Sequence, residues 1–170
     1  RECSPLAPHT GATARARSWT PGGRPRWPGA RIRGTTGGAG IVLDLCPEML
    51  VVEGGCGQID IVLSNLLVNA IDALDKTPSP RIVVRTWAED AYAAIAISDN
   101  GPGVPQDIRK RLFDPFFSTK EVGQGSGLGL SISQAIVTKR GGFIVYDAAN
   151  GEGACFVVKL PAVDLERAKS

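Results

Sequence analysis

Histidine is nearly absent from the 170 residues, His9 being the single copy. The four cysteines, Cys3, Cys46, Cys56 and Cys155, lie far apart with no Cys-x-x-Cys pair. A structural zinc centre needs four such ligands at short spacings, so this chain offers no basis for one, and its cysteines read as free thiols in a reducing compartment. Charge of one sign is lacking too. The 19 Lys and Arg against 17 Asp and Glu leave a net charge of +2, which calls for neither nucleic acid nor direct contact with a membrane surface. No run of about 18 apolar residues is present to cross a bilayer, and the N-terminus lacks the sections of a signal peptide. The chain as it stands is expected to be soluble.

What is plentiful is glycine and proline, 21 and 12 residues, and they are unevenly spread. Residues 1–38 combine Arg, Gly, Pro, Thr and Ala without helical or strand periodicity, and read as a disordered or artefactual N-terminal segment, either a flexible linker or a misread frame. Residues 39–162 have the texture of one packed domain, a size that supports a real core, and 163–170 read as a C-terminal tail. Ile41–Leu45 and Met49–Val52 are expected as short strands around a Pro47 turn. Gly57–Leu74 places Ile59, Val62, Leu63, Leu66, Leu67, Ala70, Ile71 and Leu74 at helical spacing, and Pro78 prevents continuation. Arg81–Trp87 and Ala91–Ile97 read as an antiparallel pair, with Asp99 directly after the second strand. Pro105–Leu112 is expected as a short helix and Ser126–Lys139 as a longer one stopped by Gly141-Gly142. Phe143–Tyr146 and Ala154–Leu160 close the domain as strands, turned at Asn150-Gly151. The sum is an α/β fold, a two-layer sandwich of one mixed, mostly antiparallel sheet with helices on one face.

Four segments carry chemistry. Asn65 and Asn69, four apart, share one face of the long helix. Asparagine is a poor helix former because its amide competes for the backbone, so the pair needs a reason. Solvent-facing amides would be one, and hard oxygen ligation of Mg2+ with phosphate contact another. Asp99-Asn100-Gly101-Pro102-Gly103 follows a strand. There a carboxylate can accept a hydrogen bond from an exocyclic amine while glycines let the backbone approach a flat ring, although alone the segment also fits a plain turn. Phe113-Asp114-Pro115-Phe116-Phe117-Ser118-Thr119-Lys120 sets three aromatic rings before two hydroxyls and a lysine, either a core cluster or an apolar hinge followed by groups that reach phosphate. Gly123-Gln124-Gly125-Ser126-Gly127-Leu128-Gly129-Leu130 opens a helix, where backbone amides and the positive helix end can meet a polyphosphate. It is neither a Walker A loop nor a dinucleotide fingerprint.

In this order the four segments resemble the ATP-binding catalytic domain shared by sensor histidine kinases, gyrase B, the ninety-kilodalton heat-shock chaperones and the MutL repair proteins, over roughly Ile41 to Pro161. Asn-Leu-Leu-x-Asn-Ala matches Asn65 to Ala70, Asp-x-Gly-x-Gly matches Asp99 to Gly103, and Gly-x-Gly-Leu-Gly-Leu matches Gly125 to Leu130. The resemblance implies the Bergerat ATP-binding fold, ATP and Mg2+ as ligands, and a role for each matched residue. Asn69 would supply an oxygen to Mg2+, Asn65 would act at the phosphates, and Asp99 would bind the adenine amine. Gly101, Gly103, Gly125, Gly127 and Gly129 would form walls and lid, with Phe116, Leu128 and Leu130 beside them, and Lys120 would reach the γ-phosphate.

Gyrase-like and MutL-like members carry a water-activating Glu four residues before the metal asparagine. Here that position is Asn65, which implies phosphoryl transfer rather than hydrolysis. The aromatic box and the short lid are most similar to those of the nitrogen-regulatory and C4-dicarboxylate sensor kinases. By resemblance the partners are a histidine-bearing dimerisation domain, for which His9 between Pro8 and Thr10 is no match, and a response regulator. The domain would be cytoplasmic, within a longer parent anchored at an inner membrane in some members. Two other readings stand beside this one: an anti-sigma-type serine kinase of the same fold, and a truncated, non-catalytic nucleotide-binding module.

Overall fold

The computed structural model describes residues 31–36, 38–53, 56–120, 125–148 and 153–163. Six strands form one sheet: β1 (Arg31–Thr36), β2 (Ala39–Asp44), β3 (Arg81–Glu89), β4 (Tyr92–Asp99), β5 (Phe143–Tyr146) and β6 (Cys155–Pro161), in the spatial order β1-β2-β3-β4-β6-β5. All neighbours are antiparallel except β2 and β3, where Ile41 pairs Ile82 and Asp44 pairs Arg85. That parallel pair requires a crossover. The crossover is α1 (Cys56–Ala73), and α2 (Gly129–Lys139) packs beside it against β5 and β6.

The core lies between these helices and the sheet because the side-chain periods agree across the layers. Val62, Leu66, Ala70 and Leu74 recur every four residues along one side of α1 and its last turn and are almost fully buried. They meet Ile82, Ile97, Phe156, Val158 and Leu160 from alternate positions of three strands, with Val137 from α2. The opposite face of the sheet buries a smaller set, Trp87, Ala94, Ala96, Cys155 and Val157. It is edged by the ion pairs Arg85–Asp44 at 3.1 Å and Lys159–Glu89 at 2.8 Å. The two-layer sandwich with helices on one face is therefore the architecture. Among the described residues Cys46 and Cys155 are free thiols. Burial pushes the Cys155 thiol above its ordinary value, which makes it a poor nucleophile.

Several elements depart from the sequence reading. Loose coil through residue 38 fails over Arg31–Thr36, which forms β1, while residues 1–30 lie outside the described residues. The registers of β1 and β3 occupy both edges of β2, so Met49–Val52 finds no free edge of β2 to pair with. Only Val52 forms a bridge, to Ala162. Pro105–Leu112 is a series of turns with a single 3-10 turn at Arg109–Arg111. An α-helix there would join the Ile108 N–H to the Val104 carbonyl, but that N–H donates to the Pro105 carbonyl at 3.3 Å, three residues back, and the Val104 carbonyl accepts from the Arg109 guanidinium at 3.0 Å. The second helix begins at Gly129 rather than Ser126 because Gly127 has φ +65°, a left-handed conformation that cannot propagate a right-handed helix. Its end falls where expected, with Gly141 N–H donating to Thr138 and Gly142 N–H to Val137. The Asn150-Gly151 turn lies outside the described residues.

Candidate functional site

A cleft of about 460 Å³ opens between α1, the end of β4, the aromatic segment and the glycine-rich segment before α2. At its floor stands Asp99, the last residue of β4 and 7% exposed. Its Oδ1 accepts the N–H groups of Gly101 at 2.9 Å and Ala154 at 3.1 Å, which leaves Oδ2 for the cleft that Asp99 lines. Burial raises the Asp99 carboxyl above its ordinary value of 3.8, and the two backbone N–H bonds offset part of that rise. An acidic acceptor held rigidly by one oxygen, with the other directed into a partly apolar cleft, suits a flat ligand bearing an exocyclic amine.

The wall beside Asp99 is backbone on backbone. Gly103 (φ +72°) lies against Gly153, and Gly153 (φ +76°) lies against the Asp99 carbonyl, so a Cβ on either would overlap a neighbour. Val104 next to them is fixed through both its polar groups, the N–H donating to Tyr146 Oη at 3.3 Å and the carbonyl accepting from Arg109 Nε. The Arg109 guanidinium also stacks on the Tyr146 ring, 5.3 Å from its centre.

On the facing wall Asn65 and Asn69 both border the cleft. The Asn65 Nδ2 group donates to the Gly129 carbonyl at 3.1 Å and to Ser133 Oγ at 3.2 Å, while Ser133 Oγ donates to the same carbonyl at 2.8 Å. Asn65 therefore ties the first turn of α2 to α1, and only its oxygen remains for the cleft. No such bond ties the Asn69 amide among the described residues. Ser133 is fully buried, and removing its hydroxyl strands an Asn65 donor hydrogen. Ser133→Ala is accordingly expected to lower stability by about 1–2 kcal/mol, read as a shifted midpoint with unchanged slope in urea unfolding.

The glycine-rich segment is locked onto the aromatic one. Phe116 has φ +64°, its N–H donates to the Gly127 carbonyl at 3.0 Å, and a Cβ on Gly127 would stand 2.5 Å from the Phe116 carbonyl carbon. This backbone turn throws the Phe116 ring outward, 77% exposed, so that Phe117 rather than Phe116 lines the cleft. Lys120 reaches the cleft, and its ammonium pairs with Asp72.

Of the residues singled out from the sequence, the structure gathers Asn65, Asn69, Asp99, Gly103, Lys120, Gly125, Gly127, Gly129 and Leu130 around one cleft. Gly101 takes part through its N–H to Asp99, and the Leu128 carbonyl accepts from Ile132 N–H and Ser131 Oγ as the helix starts. Phe116 is the one that turns away. Asp72, Tyr146, Arg109 and Gly153 were missed. Gly153, standing just before a strand, gave a sequence signal for close backbone approach; the others depend on long-range contacts.

Comparison with known proteins follows the same lines. Residues 55–164 match the family model described as histidine kinase-, DNA gyrase B-, and HSP90-like ATPase. The chain is 43% identical over 125 residues to the two-component sensor PprA of Pseudomonas aeruginosa, covering 68% of this chain and 13% of that protein. It is 40% identical over 120 residues to the C4-dicarboxylate transport sensor protein DctB of Rhizobium meliloti, covering 71% and 19%. The chain thus spans less than a fifth of the length of these relatives. Among solved structures, a mycobacterial sensor histidine kinase, MprB, superposes with a TM-score of 0.63 at 30% identity, covering 74% of this chain and 86% of that one. No helix among the described residues is long and apolar enough to cross a membrane.

Proposed function

Since the chain belongs to the histidine kinase-, DNA gyrase B- and HSP90-like ATPases and is the ATP-binding domain of a two-component sensor kinase, we propose that it positions the γ-phosphoryl group of ATP for transfer to a histidine on a dimerisation domain outside this chain. The observation that carries this reading is the placement of the half-tethered Asp99 carboxylate at the floor of a single cleft that also holds Asn69, Lys120 and the glycine segment. The cleft fits the ligand. Its adenine end has an amine-accepting carboxylate between backbone walls that no side chain fills, and its other end has an amide oxygen, an ammonium group and the start of a helix.

Mg2+ fits the same end. Among the described residues no cluster of three acidic, His or Cys ligands exists, so the ion would be held by the Asn69 oxygen together with phosphate oxygens and water, the arrangement Mg2+ favours. When bound it would neutralise charge on the phosphates. The chain's own part is positioning: Asp99 fixes the base, the glycine segment closes over the phosphates, and Lys120 meets the γ-phosphate. Asn65 carries an amide where a general base would stand. An amide has no basicity to activate water, which favours transfer to a protein acceptor over hydrolysis. The Phe113–Lys120 segment supports a place in the nitrogen-regulatory and C4-dicarboxylate group, with a response regulator as the next acceptor, in the cytoplasm.

The test is calorimetric titration with a non-hydrolysable ATP analogue, with and without Mg2+. Wild type is expected to bind more tightly with Mg2+, and Asn69→Ala to lose about tenfold in Mg2+ while matching wild type without it. Equal affinities for both proteins in both buffers would remove Asn69 from the metal site.

A further inference from the structure

Lys120 and Asp72, 48 residues apart in sequence, meet at the edge of the cleft with Nζ 2.5 Å from Oδ2. Asp72 follows Asn69 by three residues on α1, so the two project from adjacent turns of one helix side. Both Lys120 and Asp72 line the ATP cleft, and both also line a second cleft of about 510 Å³ bounded by Gly38, Asp75 and Pro80. Their ion pair is common to the linings of both spaces. The lysine backbone is held separately, its N–H donating to Ser118 Oγ at 3.2 Å. Gly125 lies directly on its stem, since a Cβ there would meet Lys120 Cδ at 3.2 Å. Only the end of the side chain is therefore placed by Asp72.

The charge that would meet the γ-phosphate is thus already answered by a carboxylate of this chain. Resting on the reading of the cleft as an ATP site, we infer that Asp72 is a gating residue: it holds the Lys120 ammonium on the α1 wall until a γ-phosphate takes it away. One cost opposes the phosphate in the resting arrangement: the ion pair must open before the ammonium can turn to the γ-phosphate. Neither side chain is deeply buried, at 32% and 41% exposed. Water therefore screens the pair, and the exchange is a modest, reversible step. A ligand without a γ-phosphate leaves the pair closed, so the device separates triphosphate from diphosphate. A carboxylate that simply pre-aligned Lys120 for phosphate would act with the opposite sign.

The experiment titrates the full chain by calorimetry with a non-hydrolysable ATP analogue and with ADP, both in Mg2+, for wild type, Asp72→Asn, Lys120→Gln and the double variant. Asp72→Asn is expected to bind the ATP analogue about two- to fivefold more tightly than wild type, the range open to a screened ion pair. Its ADP affinity should stay at the wild-type value, which also reports an intact fold. In the Lys120→Gln background the Asp72 substitution should bring no gain. Weaker or unchanged binding of the ATP analogue by Asp72→Asn, an equal gain for ADP, or a gain that persists without Lys120 would each overturn the gate. Silence of wild type toward both nucleotides would mark the failure of the ATP reading itself, and the gate falls with it.

Discussion

Asp99→Asn is expected to weaken binding of an ATP analogue by about a hundredfold, the sum of a lost charge-assisted hydrogen bond and a buried group left unmatched, while leaving the fold intact. The N–H groups of Gly101 and Ala154 both require an acceptor and both use Oδ1. An asparagine must keep its oxygen there, which forces its Nδ2 hydrogens into the cleft, where they oppose the donor hydrogens of an adenine amine. Ordinary loss through unfolding predicts something different. The wild-type carboxylate is raised above 3.8 by burial, so its ionised form is disfavoured by folding. The resulting contribution to stability is present below 3.8 and is lost as pH rises through the raised value. At neutral pH the neutral amide should therefore be at least as stable as the carboxylate. Binding runs the other way, because the ionised form is the better acceptor: wild-type affinity should fall as pH is lowered through the raised value. Titrations from neutral pH down towards 3.8, paired with thermal unfolding, separate the two effects. Equal affinity of Asp99→Asn and wild type at pH 7.5 would take Asp99 out of the adenine site.

The residues that sequence could place are those whose role is local. The four-residue recurrence from Val62 to Leu74 made α1 legible, and the alternation of β4 brought Asp99 to the end of a strand. Motif order did the rest for Asn69, Gly103 and Lys120, which the fold collects from α1, the β4 end and the aromatic segment. What stayed hidden depended on partners remote in the chain. β1 has no pattern of its own and exists because β2 offers an edge. In place of the helix expected from Pro105, the Ile108 N–H bonds Pro105 three residues back while Arg109 reaches across to the Val104 carbonyl. The resemblance set Phe116 beside the lid, but its backbone is turned by a contact with Gly127 that no spacing rule contains. Asp72 carried no signal of its own, because its partner Lys120 lies 48 residues away in the chain.

Gly153→Ala should be the most damaging single methyl in the domain, lowering stability by about 3–5 kcal/mol, a left-handed backbone penalty plus the displacement of a buried strand end. Gly153 combines φ +76° with a position where a Cβ would overlap the Asp99 carbonyl and stand 2.8 Å from Asp99 Oδ1. All the contacted atoms belong to a buried segment, so none can swing aside as the end of a flexible side chain would. Relief requires β6 to move from β4 near Ser98–Cys155, the last pair of their register, and with it the Ala154 N–H that holds Oδ1. Stability and nucleotide affinity should therefore fall together, in contrast to Asp99→Asn, which spares the fold. Gly57→Ala is the control. It lies in the first turn of α1 with nothing within 4 Å of an added Cβ, and should raise stability by about 0.4–1 kcal/mol through a less flexible unfolded chain. Urea midpoints for both variants decide the matter: if Gly153→Ala unfolds at the wild-type midpoint, the wall beside Asp99 is loose, and the close backbone packing cannot be what holds the carboxylate in place.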